Sequence, residues 1–367
     1  MKKTRLELLD ISRGIFLFGI LVDHLRNFPS IFLFLTGGAY LWVSFAAGFF
    51  VISGFIYGYK NSLQEISFGS LVKHAWSRAA KLYFWGIALT LLFTVWGNYL
   101  PVEIRKMGLW EIETSNLFRL VVDTLTLKYI YGWADFLPYY SLYLLFSPFV
   151  LLGIKYLKTW PILLMSLIVW YFRGDNIYLA YQIVFFAGMA LGLNHSYLVE
   201  RLLKLSSHTR KVLLKLVIFL FIGSLVLCLI SVFFIKNISN LGISLNSSIM
   251  YFIHKNNVLN LYFDKKLLGF GRLLLIPIWY GAFFIFMHKN INSFKNFIGE
   301  ALRDWGKNSL FVYILHSIIV FASPYLIFKI GLNGFWDYTL YVGLVLLLVN
   351  YVVKIKSRFW PYKTIFD

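Results

Sequence analysis

Apolar residues in this chain fall in long continuous runs separated by short polar stretches, with no period-two alternation. Alternation would mark barrel strands with one wet face, whereas unbroken runs of about 20 residues mark helices in hydrocarbon. An unpaired backbone amide in lipid costs several kcal/mol, so only helices or closed barrels span a membrane, and this pattern selects helices. The runs predict spans near 10–28, 39–59, 80–99, 138–154, 160–173, 177–194, 212–235, 267–288, 308–328 and 336–353, the fifth of them short. The expected fold is all-α, a polytopic membrane bundle of about ten transmembrane helices forming a single domain over residues 1–367.

Composition agrees with the pattern. Hydrophobic residues make up 59% of the chain, charged residues only 14%, and the mean hydropathy is +0.72. Soluble domains carry about 25% charged residues, so too little polar surface is left to coat a globule. The net charge of +19 raises the question of nucleic acid. Lys and Arg collect between the apolar runs, however, which is the signature of orientation in a membrane, and nucleic-acid binding is set aside. With a cytoplasmic N-terminus, 22 of the 35 basic residues fall on inner segments, so both termini are expected inside. The basic start, Lys2, Lys3 and Arg5, resembles a signal peptide, but Asp10 and Arg13 interrupt the following run and no small-residue cleavage site appears. It reads as an uncleaved first helix. The single cysteine, Cys228, excludes an internal disulfide and a thiol metal site.

Two long connections, about 98–137 and 236–266, are expected outside. The first carries Glu103, Glu111, Glu113 and Asp123, and the second is rich in asparagine. Both mix polar residues with Phe, Tyr and Leu, which predicts helices lying at the interface. They can be simple connections or a lid over a polar acceptor.

An ionisable group inside a membrane helix is expensive and needs a reason. The densest set lies in the first span: Asp10, Arg13, Asp23 and His24. At about 100° per residue, Arg13 and His24 fall within about 20° of one helix face, separated by about 16 Å along the axis. A cytosolic anionic donor held by Arg13 could extend its reacting end to His24, the side chain suited to take a proton from a hydroxyl. The alternative is a snorkelling arginine and a structural histidine. Asp23 points about 100° away from His24 and is expected to engage another helix. Ser53 sits among glycines, where small residues allow close helix packing. Arg78 and Lys81, three apart at the inner end of the third span, can hold phosphates or anchor the inner leaflet. Trp133, Asp135, Gln182, Asn308, Ser309, Tyr313 and His316 add polar groups to the other helices. No P-loop, His-Glu-x-x-His, nucleophile elbow or cysteine pair is present, so nothing points to ATP hydrolysis or a metal.

Leu9-Asp10-x-x-Arg13-Gly14 followed by Asp23-His24 resembles the signature of the acyltransferase 3 superfamily. Phe50-Val51-Ile52-Ser53-Gly54-Phe55, Arg78-Ala79-x-x-Leu82-Tyr83, Asp135-x-Leu137-Pro138-x-Tyr140 and Gln182-x-x-Phe185-x-x-Gly188 resemble its OpgC-like branch, glucan biosynthesis protein C. Gly306-x-x-Ser309-Leu310 with His316 is similar to a late-helix element of the broader family. The resemblance is collinear over most of the chain. It implies a ten-span O-acyltransferase of the cell inner membrane that moves an acyl group from cytosolic acyl-CoA to hydroxyls of extracytoplasmic carbohydrate. Acetyl-CoA and succinyl-CoA are the leading donors, and the branch favours succinyl. No permanently bound cofactor is implied.

Carried over by residue, the resemblance makes His24, Arg13 and Asp23 the catalytic candidates. Arg13, Arg78 and Lys81 become the coenzyme-A site, and Asp10, Ser53, Tyr83, Asp135, Gln182 and His316 the substrate positions. Lys81 stands where the family pattern has a second arginine, which keeps the charge and loses bidentate phosphate recognition. The rival reading is a polysaccharide-unit transporter or flippase, since intramembrane Asp23, His24 and His316 also suit a proton pathway. Against it, the chain shows no internal repeat and no pair of Gly/Pro-broken helices.

Overall fold

The structure, a computed structural model, describes residues 2–38, 40–63, 67–107, 116–237 and 262–359. These form fifteen α-helices and one 3-10 turn, with no strand among the described residues. In chain order the helices are α1 Lys2–His24, α2 Phe32–Thr36, α3 Phe45–Ser62, α4 Phe68–Tyr99, α5 Val102–Lys106, α6 Leu117–Leu125, α7 Phe136–Leu157 and α8 Thr159–Tyr171. They continue with α9 Ile177–Leu193, α10 His195–Lys204, α11 Ser207–Asn237, α12 Phe270–Lys289, α13 Phe297–Lys307, α14 Ser309–Ile330 and α15 Phe335–Phe359.

Each expected apolar run falls on a helix: α1, α3, α4, α7, α8, α9, α11, α12, α14 and α15. Six of them, α4, α7, α11, α12, α14 and α15, are long and apolar enough to cross a membrane, and α9 joined to α10 across a 66° bend makes a seventh. The chain is therefore an all-helical polytopic membrane protein. The remaining three helices are shorter or more polar, for different reasons. Helix α8, at 13 residues, spans about 20 Å. Helix α1 carries Asp10, Arg13 and Asp23, yet nearly all of its surface from Leu9 to Val22 is buried, so its polar groups do not face lipid. Helix α3 mixes glycine, serine and tyrosine with its apolar residues and ends in Lys60-Asn61-Ser62.

Polar residues set several helix starts. Ser44, Asn116, Asn176 and Asn296 each accept a backbone N–H of the following turn, at 3.3, 2.8, 2.9 and 2.9 Å. The first long connection contains α5 and α6, and α6 is amphipathic, with Leu120 and Thr124 buried and Leu117 and Phe118 exposed. Glu111 and Glu113 lie outside the described residues, as does the asparagine-rich stretch from Asn240 to Asn260.

The chain divides into two compact units. One comprises residues 1–39, 65–156 and 292–367, carrying α1, α2, α4 to α7 and α13 to α15. Its tightest contact is α1 on α13. A Cβ added to Gly14 would lie 1.9 Å from the Leu302 carbonyl oxygen, and one added to Gly306 would lie 1.8 Å from that of Asp10. The two backbones touch, which glycine alone permits. Phe93 of α4 stacks on Phe321 of α14 at 4.6 Å, with Tyr131 edge-on to both.

The second unit comprises residues 40–64 and 157–291, carrying α3 and α8 to α12. Helices α3 and α9 interlock through four glycines. Gly54 and Gly58 lie on the carbonyls of Phe185 and Met189, and Gly188 and Gly192 on those of Val51 and Phe55. The turn before α12 is pinned by side-chain donors to its carbonyls. Trp170 reaches Leu268 at 3.0 Å, Arg173 reaches Leu267 at 2.7 Å and Tyr181 reaches Lys265 at 2.5 Å, while Arg272 binds Phe263. Bonds of this kind satisfy backbone groups where lipid supplies no partner.

Candidate active site

The site of the first unit is built between α1 and α14. Close approach of α1 to α13 brings the following helix alongside, and two polar contacts form in the same order on each. Arg13 donates through a guanidinium nitrogen to the Ser309 hydroxyl, and His24 meets His316. Eleven residues separate the pair on α1 and seven the pair on α14, about 16 Å against about 10 Å of rise. The parallel order together with the long arm of arginine accommodates that difference.

His24 Nδ1 lies 2.8 Å from His316 Nε2. His316 is 2% exposed, and its Nδ1 lies 2.9 Å from the Tyr313 carbonyl oxygen. A carbonyl only accepts, so His316 Nδ1 carries the proton and His316 Nε2 is left as the acceptor. His24 must then donate from Nδ1, which places the lone pair of a neutral His24 on Nε2. Three groups thus determine the tautomer of the half-buried His24.

Trp133 frames this pair. Its ring lies 4.6 Å from that of His24, and its carbonyl accepts from Ser317 at 2.8 Å and Tyr313 at 3.3 Å. The segment before it is tied to α4, with the Tyr131 N–H on Thr90 Oγ1 at 3.3 Å and Tyr129 on Thr94 at 3.0 Å. An irregular backbone is thereby held against two helices, and it presents Trp133 to the imidazoles.

The other expected positions are distributed as follows. Asp23 is buried next to His24 in sequence, and Asp10 is half-buried with its carbonyl against Gly306. Asp135 begins the turn into α7, 3.5 Å from the Tyr139 hydroxyl. Arg78 is half-buried, its guanidinium 5.5 Å from the centre of the Tyr140 ring. Lys81 is exposed on the outer side of α4, and Tyr83 donates to the Leu125 carbonyl at 2.5 Å. Ser53 and Gln182 belong to the second unit. Ser53 lies on the buried side of α3, and Gln182 makes a reciprocal pair with Ser166: the Ser166 hydroxyl donates at 2.5 Å and the Gln182 amide at 2.7 Å.

Residues that sequence reasoning left without a role also meet here. Lys356 of α15 donates to the Asn308 side chain at 2.5 Å, and Asn308 donates to Ser357 at 3.2 Å, next to the Arg13–Ser309 contact. Their separation in sequence carries no signal of the contact. Ser317 could have been suspected from its place one residue after His316. The arrangement offers a cation midway along α1, and about 16 Å further, at the end of the helix, an imidazole whose lone pair on Nε2 suits it to take a proton.

A family model described as OpgC protein matches residues 4–174 and 176–359. No curated protein and no solved structure gives a significant match.

Proposed function

Because the chain belongs to the OpgC protein family, whose activity is in general that of glucan-modifying acyltransferases, we propose that it transfers an acyl group from cytosolic acyl-CoA to hydroxyls of an extracytoplasmic glucan. The acyl group is acetyl or succinyl, with succinyl favoured by the sequence resemblance to the glucan branch of the acyltransferase 3 superfamily. In this reading the chain crosses the inner membrane about ten times with both ends in the cytoplasm, in keeping with the basic residues of its expected inner loops. Arg13, with Arg78 and Lys81 at the expected inner end of their span, attracts the donor's phosphates.

The observation that carries the reading is the His24–His316 contact. As the acceptor hydroxyl oxygen attacks the thioester carbonyl carbon, its proton passes to His24 Nε2. The carbon–sulfur bond breaks, and the leaving thiolate takes that proton from His24 to become the free thiol. His316 accepts from His24 throughout and supports the imidazolium, and Asp23 and Asp135 add negative charge in the same unit. Burial of His316 strengthens these interactions by excluding water on its side of the contact.

The test is mass spectrometry of surface glycans from cells carrying the wild-type chain, the His24→Ala chain or neither. An acyl mass increment present only with the wild type supports the reading and identifies the group. Full acylation by His24→Ala would overturn the mechanism. Glycans of unchanged mass that disappear from the surface without the protein would point instead to transport.

A further inference from the structure

Helix α10 has no buried residue, although it follows directly on α9, which is buried along most of its length. At 100° per residue, Leu198, Val199, Leu202 and Leu203 occupy one arc of about 140°. Most of that arc is open, with Leu202 52% and Leu203 64% exposed. The other side is polar and internally paired: Arg201 Nε donates to the Tyr197 hydroxyl at 2.9 Å, and Lys204 meets Glu200 at 2.6 Å. The axis of α10 is bent 66° from that of α9. A helix α9 crossing within about 20° of the membrane normal leaves α10 closer to the membrane plane than to the normal. A helix with one open apolar arc in that position is built for an interface.

Charge specifies which interface. Between residues 201 and 215 the chain carries Arg201, Lys204, Arg210, Lys211 and Lys215 and no acidic residue. Arg210 and Lys211 lie at the start of α11, where cations oppose the helix dipole, so their position does not serve the stability of that helix. Beyond them α11 turns into a lipid-facing span, with a mean hydropathy of 2.9 over its most apolar stretch and almost none of that stretch buried. A cluster of exposed cations in the sequence at the foot of such a span, next to an open amphipathic helix, matches the phosphate-bearing headgroups of an anionic leaflet.

We propose that the α9–α10–α11 elbow is a docking surface for anionic phospholipid. Leu198, Leu202 and Leu203 enter the acyl boundary, while Arg201, Arg210 and Lys211 take the headgroup phosphates. The proposal is independent of the acyl-transfer reading. The test is native mass spectrometry of the full chain, purified in neutral detergent and equilibrated with equal amounts of phosphatidylglycerol and phosphatidylcholine. Wild type is expected to retain phosphatidylglycerol about tenfold over phosphatidylcholine, a preference that shrinks with added salt. R201Q/R210Q/K211Q, at exposed positions, is expected to reduce the preference to about threefold or less. L198S/L202S is expected to lower retention of both lipids. Equal retention by wild type, an unchanged preference in the triple variant, or displacement of a co-purifying protein rather than lipid would each overturn the proposal.

Discussion

Gly306 of α13 lies against the backbone of Asp10 in α1, so that a Cβ added to it would stand 1.8 Å from the Asp10 carbonyl oxygen. The same two helices meet again where Gly14 faces Leu302. On α1 these contacts flank Arg13 in sequence, and on α13 Gly306 precedes Ser309 by three residues, so helix spacing and the Arg13–Ser309 bond are coupled. Gly306→Ala should force the helices apart. Its gain in helix propensity of about 1 kcal/mol is outweighed by an overpacking cost of about 1–3 kcal/mol. The expected outcome is a lower Tm together with reduced acyl transfer, measured on the same detergent preparation. Gly331→Ala is the control: its added Cβ meets nothing within 4 Å, and any loss of Tm there stems from its left-handed φ of +76° alone and should leave acyl transfer by the folded protein intact.

His316 is a positioning residue in this reading, acting through His24. His316→Phe keeps a ring and removes the acceptor, so His24 loses the bond that holds its tautomer. Acyl transfer should fall about 100-fold in kcat with the donor KM changed by less than about twofold. His316→Gln, which offers an acceptor oxygen, should recover part of that loss. A purely structural role would lower the amount of folded protein and leave kcat per folded molecule unchanged, and single-turnover measurements distinguish the two.

The helices were legible because the apolar pattern is local, and all ten expected runs lie on helices. The shared face of Arg13 and His24 was legible for the same reason. Their partners were less so: His24 and His316 are 292 residues apart, and their contact depends on glycine approaches between helices. Arg78 and Lys81 show the limit of spacing arguments. Three residues on a helix differ by about 60° in direction, and here that is enough to leave Arg78 half-buried over Tyr140 and Lys81 exposed. Gln182, grouped with the substrate positions by motif, is paired with Ser166 in the second unit. The clamp on the turn before α12 was invisible, because donors from three elements converge on backbone carbonyls that carry no sequence signal.

Arg13 and Ser309 should separate donor binding from chemistry. Ser309→Ala removes one hydrogen bond to a charged group, typically worth about 1.5–3 kcal/mol, and loosens the hold on the guanidinium. If Arg13 holds donor phosphates, Ser309→Ala raises the donor KM about 10-fold or more with a smaller change in kcat. Arg13→Lys keeps the charge and loses the planar fork, so its donor KM should rise further. An unchanged donor KM in both variants would remove Arg13 from donor binding.

Ser166 and Gln182 provide a test of packing that is independent of chemistry. Each bonds the other inside the second unit, and both are buried. Gln182→Leu leaves the Ser166 hydroxyl and carbonyl without that partner, which should cost about 1–3 kcal/mol. Ser166→Ala alone leaves the Gln182 oxygen without its donor and should cost a similar amount. The double variant removes both the hydroxyl and the amide and should be less destabilised than the sum of the two, giving a coupling of about 1 kcal/mol in a double-mutant cycle. Thermal unfolding of the four proteins in one detergent supplies that number. Acyl transfer per folded molecule should stay near wild type throughout, because each side chain is buried and bonded to the other. A large loss of kcat in Gln182→Leu, with stability preserved, would support Gln182 as one of the substrate positions that its motif implies.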